Sequence, residues 1–192
     1  LGAENGNKYS ILSGLQKVDE IVTNGTFTVD AAAQLQGKKS MMTSENKRLQ
    51  LSKEVQQRFS NVIESYLQLK NDLVNDNAEK AKTSAEKALK ELQTITVDEE
   101  NISEKIKSLN EGFSAVSQSN DIQQQREAFI SLSEEMITVS KQIEQTKKLF
   151  IQKCPMANNN QGAKWLSLEK EIKNPYYGAS MLGCGSIIEV IN

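Results

Sequence analysis

The chain has 192 residues, 25% of them charged and 38% hydrophobic, with 23 basic against 25 acidic side chains and a formal net charge of −2. That length holds one medium domain, or one domain with a fragment, and the composition excludes a disordered chain; with no run of 18 apolar residues, a bilayer-spanning segment is excluded too. Interspersed lysines and acids leave no basic face for nucleic acid, and a start at Leu1 with no apolar leader reads as a processed or excerpted chain.

Residues 1–45 read as short strands and turns. Tyr9 to Leu12 and Glu20 to Thr23 are extended, Asn24-Gly25 is a hairpin signal, and Thr26 to Val29 alternates polar and apolar residues. A ribbon of two or three strands is marginal alone, so this piece needs partner strands or the rest of the protein.

Residues 46–150 change to helical spacing. Val55, Phe59, Val62, Tyr66, Leu69 and Leu73 step by threes and fours, which predicts one long helix that Asn75-Asp76-Asn77 ends. A second stripe follows through Ala81, Ala85, Ala88, Leu89 and Leu92, and its alanines allow close approach of a neighbour. Asp98 is placed to cap a third helix through Ile102, Ile106, Leu109, Phe113 and Val116. The fourth runs from Ile122 through Phe129, Leu132, Met136, Val139 and Ile143, and Pro155 is expected to stop it. Short links favour antiparallel neighbours, so the predicted fold is mainly α: an antiparallel four-helix bundle after a short β-ribbon.

From 151 to 192 neither period holds, and an irregular C-terminal lobe packed on the bundle is predicted. Asn158 to Gly162 is loop-like, Asn174-Pro175-Tyr176 is a turn, and Ser186 to Ile191 reads as a closing strand or a last helical turn. Trp165 and Leu166 are expected to insert into the bundle end. Trp165 reads as a packing anchor, with a cation–π cover over a bound ion as the alternative.

This lobe carries both cysteines of the chain, each with a methionine beside it: Cys154-Pro155-Met156 and Met181-Leu182-Gly183-Cys184. In an extended tripeptide the side chains of Cys154 and Met156 point the same way, and Met181 and Cys184 converge on a helical turn. With no histidine in the chain, the four sulfurs form a soft donor set of the kind that selects Cu(I) or Ag(I). Zinc fits poorly, since structural zinc sites use thiolate and imidazole without thioethers. Two other readings stay open. One is a Cys154–Cys184 disulfide closing the lobe, worth roughly 3–4 kcal/mol by chain entropy; the other is plain burial with methionines filling gaps. Met41 and Met42 sit in a linker and carry no site.

The stretch Cys154-Pro155-Met156-Ala157, Gly162-Ala163-Lys164-Trp165-Leu166-Ser167, Glu171-Ile172-Lys173-Asn174-Pro175-Tyr176-Tyr177-Gly178 and Met181-Leu182-Gly183-Cys184-Gly185 resembles a bacterial domain family of formally unknown function. That family is associated with copper and silver efflux, and with the preceding helices the resemblance covers about residues 50–190. Residues 1–45 add an independent likeness. Ile11 to Leu15, Asp19 to Gly25 and Phe27 to Leu35 are similar to the C-terminal end of periplasmic adaptor (membrane fusion) proteins of copper/silver-class resistance-nodulation-division pumps. Gln16-Lys17-Val18 departs from the usual loop there.

The resemblance implies a periplasmic protein of the cell envelope whose partners are an inner-membrane efflux pump and an outer-membrane channel. It implies Cys154, Met156, Met181 and Cys184 as Cu(I)/Ag(I) ligands, with soft-ion capture for export as the function. The rival class is a disulfide-stapled structural or interaction domain of the same assembly. An enzyme is the weakest reading, because the chain has no His, no C-x-x-C pair, no phosphate-binding glycine loop and no convincing carboxylate dyad.

Overall fold

The structure, a computed structural model, describes residues 4–5, 8–9, 51–97 and 100–192. The chain divides into two units, Leu1–Glu45 and Asn46–Asn192. In the first, β1 (Glu4–Asn5) and β2 (Lys8–Tyr9) form a two-residue antiparallel pair with Glu4 opposite Tyr9. The remaining strand and turn readings there (10–12, 20–29), with Met41 and Met42, lie outside the described residues, as does the Asp98 cap.

The second unit is mainly helical. Its described residues form four α-helices, α1 (Lys53–Val74), α2 (Ala78–Gln93), α3 (Glu100–Ser117) and α4 (Ile122–Gln142). Three of their N-termini are held by short polar side chains that satisfy otherwise orphaned amides: Ser52 accepts from Val55 N, Asn77 from Lys80 N, and Asp121 from Gln123 N and Gln124 N. Phe59, Val62, Tyr66, Leu69 and Leu73 of α1 are all buried, as the stripe required. So are Ala81, Ala85, Ala88 and Leu92 of α2, Leu109, Phe113 and Val116 of α3, and Phe129, Leu132 and Met136 of α4. α1 packs on α2, α2 on α3 and α3 on α4. No described helix is long and apolar enough to cross a membrane.

The region from 149 onward differs from the irregular lobe expected. It contains a three-stranded antiparallel sheet of order β4-β3-β5, built from β3 (Leu149–Cys154), β4 (Ala163–Ser167) and β5 (Ser186–Ile191). The 150/151 boundary therefore falls inside β3. Pro155 does not end α4 either: the helix stops at Gln142, and Pro155 follows β3. The apolar run Leu149-Phe150-Ile151 is buried on both faces of β3 and shows no alternation, so its strand character is hidden from a period-two reading. Trp165 and Leu166 of β4 are fully buried in the same core as the helices. They enter that core from a strand of the sheet. Tyr66 of α1 ties the two layers together: its hydroxyl meets Ser133 Oγ of α4 at 2.7 Å and accepts from Leu166 N at 3.2 Å.

Candidate functional site

Cys154 is the last residue of the central strand β3, opposite Ala163 of β4, and is completely buried. The chain then bends through Pro155 and Met156 into a tight turn. Asn158, Asn159 and Asn160 all have positive φ (54°, 52° and 66°), a left-handed run that asparagine tolerates better than other non-glycine residues. Asn160 N donates to Met156 O and Gly162 N to Ala157 O, closing the turn before β4.

The second arm is a longer excursion. After β4 the chain turns at Asn174-Pro175-Tyr176 into a 3-10 turn, Gly178–Met181, and Cys184 N donates to Met181 O at 3.1 Å. Buried Asn174 uses all its polar groups to close this arm. Its backbone N donates to Leu182 O, its Nδ2 to Cys184 O at 2.9 Å, its Oδ1 accepts from Tyr176 N, and its carbonyl accepts from Gly178 N.

The arm is anchored on the helices by Arg126 of α4. This nearly buried guanidinium donates to Pro175 O, to Leu73 O at the end of α1 and to Asp76 Oδ1. The other carboxylate oxygen of Asp76 accepts from Ala179 N. The Arg126 hydrogen bond, then the Ala179 one, hold the Asp76 carboxyl below the usual aspartate range. Gly178 presses against this pair with φ +54°, so a Cβ there would collide with both the guanidinium and the carboxylate. Gly185, at φ +143°, lies under β3, and a Cβ on it would stand 2.9 Å from Lys153 O and 3.0 Å from the Trp165 ring.

The result is that Cys154 Sγ and Cys184 Sγ lie 2.9 Å apart. Both are free thiols, since a covalent bond is about 2.05 Å. The hydrogen bond with Cys154, followed by burial, raises the Cys184 thiol above its ordinary value, while a hydrogen bond from the Met156 backbone pulls it the other way. Cys184 is partly exposed, and the residue before it, Gly183, borders open space: a Cβ there meets nothing within 4 Å.

The four sulfur residues therefore divide. The two cysteines, thirty positions apart, are brought together. Met156 does not share the environment of Cys154 as the extended tripeptide suggested, because the bend at Pro155 leaves it 46% exposed while Cys154 is buried. Its backbone nonetheless reaches Cys184, and Tyr177 Oη donates to its carbonyl at 3.0 Å. Met181 is partly exposed, one turn before Cys184. Among the described residues no group of three or more His, Cys, Asp or Glu side chains is placed to hold a metal ion, so any donor added to the thiol pair would be of another kind, such as a thioether. Arg126 and Asn174 escaped the sequence reading of the site. Asn174 stood in a predicted turn, but nothing in its spacing announced that it holds a cysteine carbonyl.

Residues 62–148 match the family model described as "Protein of unknown function (DUF3347)", less than half of the chain. The match runs from within α1 to the residue before β3, so it takes in the helices and stops short of both cysteines. Neither a curated protein nor a solved structure matches the chain.

Proposed function

We propose that this chain is a soft-metal-binding module of a periplasmic efflux adaptor, capturing Cu(I) or Ag(I) on Cys154 and Cys184 with Met156 and Met181 as thioether donors. The observation that carries this reading is the 2.9 Å approach of two thiols contributed by separate arms. Metal–thiolate bonds are about 2.3 Å in related sites, so two sulfurs sharing a tetrahedral ion stand roughly 3.7 Å apart. The pair must open by less than an ångström, and Cys184 sits on the arm with open space beside it.

Both thiols must lose their protons to ligate, whereas thioethers stay neutral. An exposed Met156 and a partly exposed Met181 suit a site that takes an ion from solution and hands it on to a pump and an outer-membrane channel. In this reading the four helices form an antiparallel up-down-up-down scaffold under the sulfur-bearing sheet.

The same close approach favours a second reading, a Cys154–Cys184 disulfide that staples an interaction domain of the same assembly. Titration of Cu(I) against a competing chelator separates the two. The reduced protein is expected to bind one ion per chain, and a Cys154→Ser, Cys184→Ser variant to lose that binding. Equal affinity in both proteins would remove these cysteines as ligands.

A further inference from the structure

We propose that Cys184 is a site of mixed-disulfide formation with a small disulfide such as glutathione disulfide, and that Cys154 is the thiol that resolves the adduct. The two cysteines touch each other but differ in what else can touch them. Cys154 has no exposed surface and is fixed in the central strand between β4 and β5. Cys184 is partly exposed, precedes β5 rather than lying in it, and follows Gly183, beside which there is empty space. Met156 and Leu182, which neighbour the pair along the chain, are 46% and 42% exposed. A reagent in solution therefore meets Cys184 first.

The chemistry runs in two displacements. Deprotonated Cys184 attacks one sulfur of the reagent, forming a Cys184–S–S–R bond and releasing one thiolate. The R group occupies the open side. Cys154 lies on the interior side, 2.9 Å from the Cys184 sulfur that it would attack. Deprotonated Cys154 then attacks the Cys184 sulfur, forming the Cys154–Cys184 bond and expelling the second thiolate. The two cysteines are oxidised by two electrons, the reagent is reduced to two thiols, and the protons lost by the cysteines end on those thiols.

This inference does not depend on metal binding. A failed Cu(I) titration leaves it standing, and its own failure leaves the ligand assignment standing.

The test is a time course of the reduced, intact chain with glutathione disulfide, acid-quenched and read by mass spectrometry with peptide mapping. In wild type, one glutathione is expected on Cys184 at early times, followed by its loss and closure of the internal disulfide. Cys154→Ser should accumulate a stable adduct on Cys184. Cys184→Ala should react on the order of 100-fold more slowly while folded, because a buried sulfur waits on local opening, and at the ordinary rate in urea. Glutathione appearing first on Cys154, equal rates at the two folded sites, or an adduct that persists in wild type would each overturn the proposal. The wild-type map decides the order of attack even if a variant fails to fold.

Discussion

Asn174 shows how much one side chain does in the second arm. It is fully buried, and its side chain donates to Cys184 O and accepts from Tyr176 N, so truncation orphans both partners at once. Asn174→Ala is expected to cost about 2–3 kcal/mol in urea unfolding, with orphaned buried partners as the cause. It should also slow closure of the Cys154–Cys184 disulfide, by letting Cys184 wander. The two glycines flanking Cys184 make a matched pair. Gly185→Ala forces a side chain into positive φ, 2.9 Å from Lys153 O, and should destabilise the fold by about 1–3 kcal/mol. Gly183→Ala meets nothing within 4 Å and should stay within about 0.5 kcal/mol of wild type. At this scale the residue types and the C-x-M and M-x-x-C spacing picked out the two cysteines that the fold brings together. It did not show that Cys154 is buried while Met156 is exposed, because that depends on the bend at Pro155 and the left-handed Asn158–Asn160 run.

At the scale of elements, two buried side chains, Tyr66 and Arg126, tether the helices to the thiol-bearing region, and each has its own signature. Tyr66 binds α1 to α4 and β4, and Tyr66→Phe leaves Leu166 N–H without its acceptor and Ser133 Oγ without its partner in the core. A loss of about 1–3 kcal/mol in chemical denaturation is expected. Arg126 and Asp76 hold the arm that carries Cys184. Because the carboxyl of Asp76 is depressed in the folded state, its contribution is complete above the ordinary aspartate value of about 3.9 and disappears as pH falls through the lower folded value. Thermal melts of Asp76→Asn should therefore start lower at neutral pH and decline less steeply than wild type under acid. Parallel acid limbs for the two proteins would contradict this.

The helices were legible because their apolar residues repeat on one face. β3 and β4 were not. A strand buried on both faces offers no alternation, so its sequence carries no period-two signal.

Within Asn46–Asn192 the helices and the sheet share one core, and the thiol pair sits where the sheet's central strand meets the arm between β4 and β5. The site is therefore made by long-range folding: residues thirty apart meet because Arg126, from α4, fixes the arm between them. Pairwise spacing along the chain proposed the partners, but convergence belongs to the tertiary structure. The family match covers helices and ends before the sheet, so the function proposed for the sulfur end rests on its own chemistry. That chemistry is tested most directly by X-ray absorption at the copper edge of the reduced protein loaded with one Cu(I). The expected result is sulfur-only coordination in wild type, a lower sulfur count in Met156→Leu and Met181→Leu, and no ordered site in Cys154→Ser, Cys184→Ser. Nitrogen or oxygen ligands in wild type, or an unchanged sulfur shell in the double cysteine variant, would contradict it.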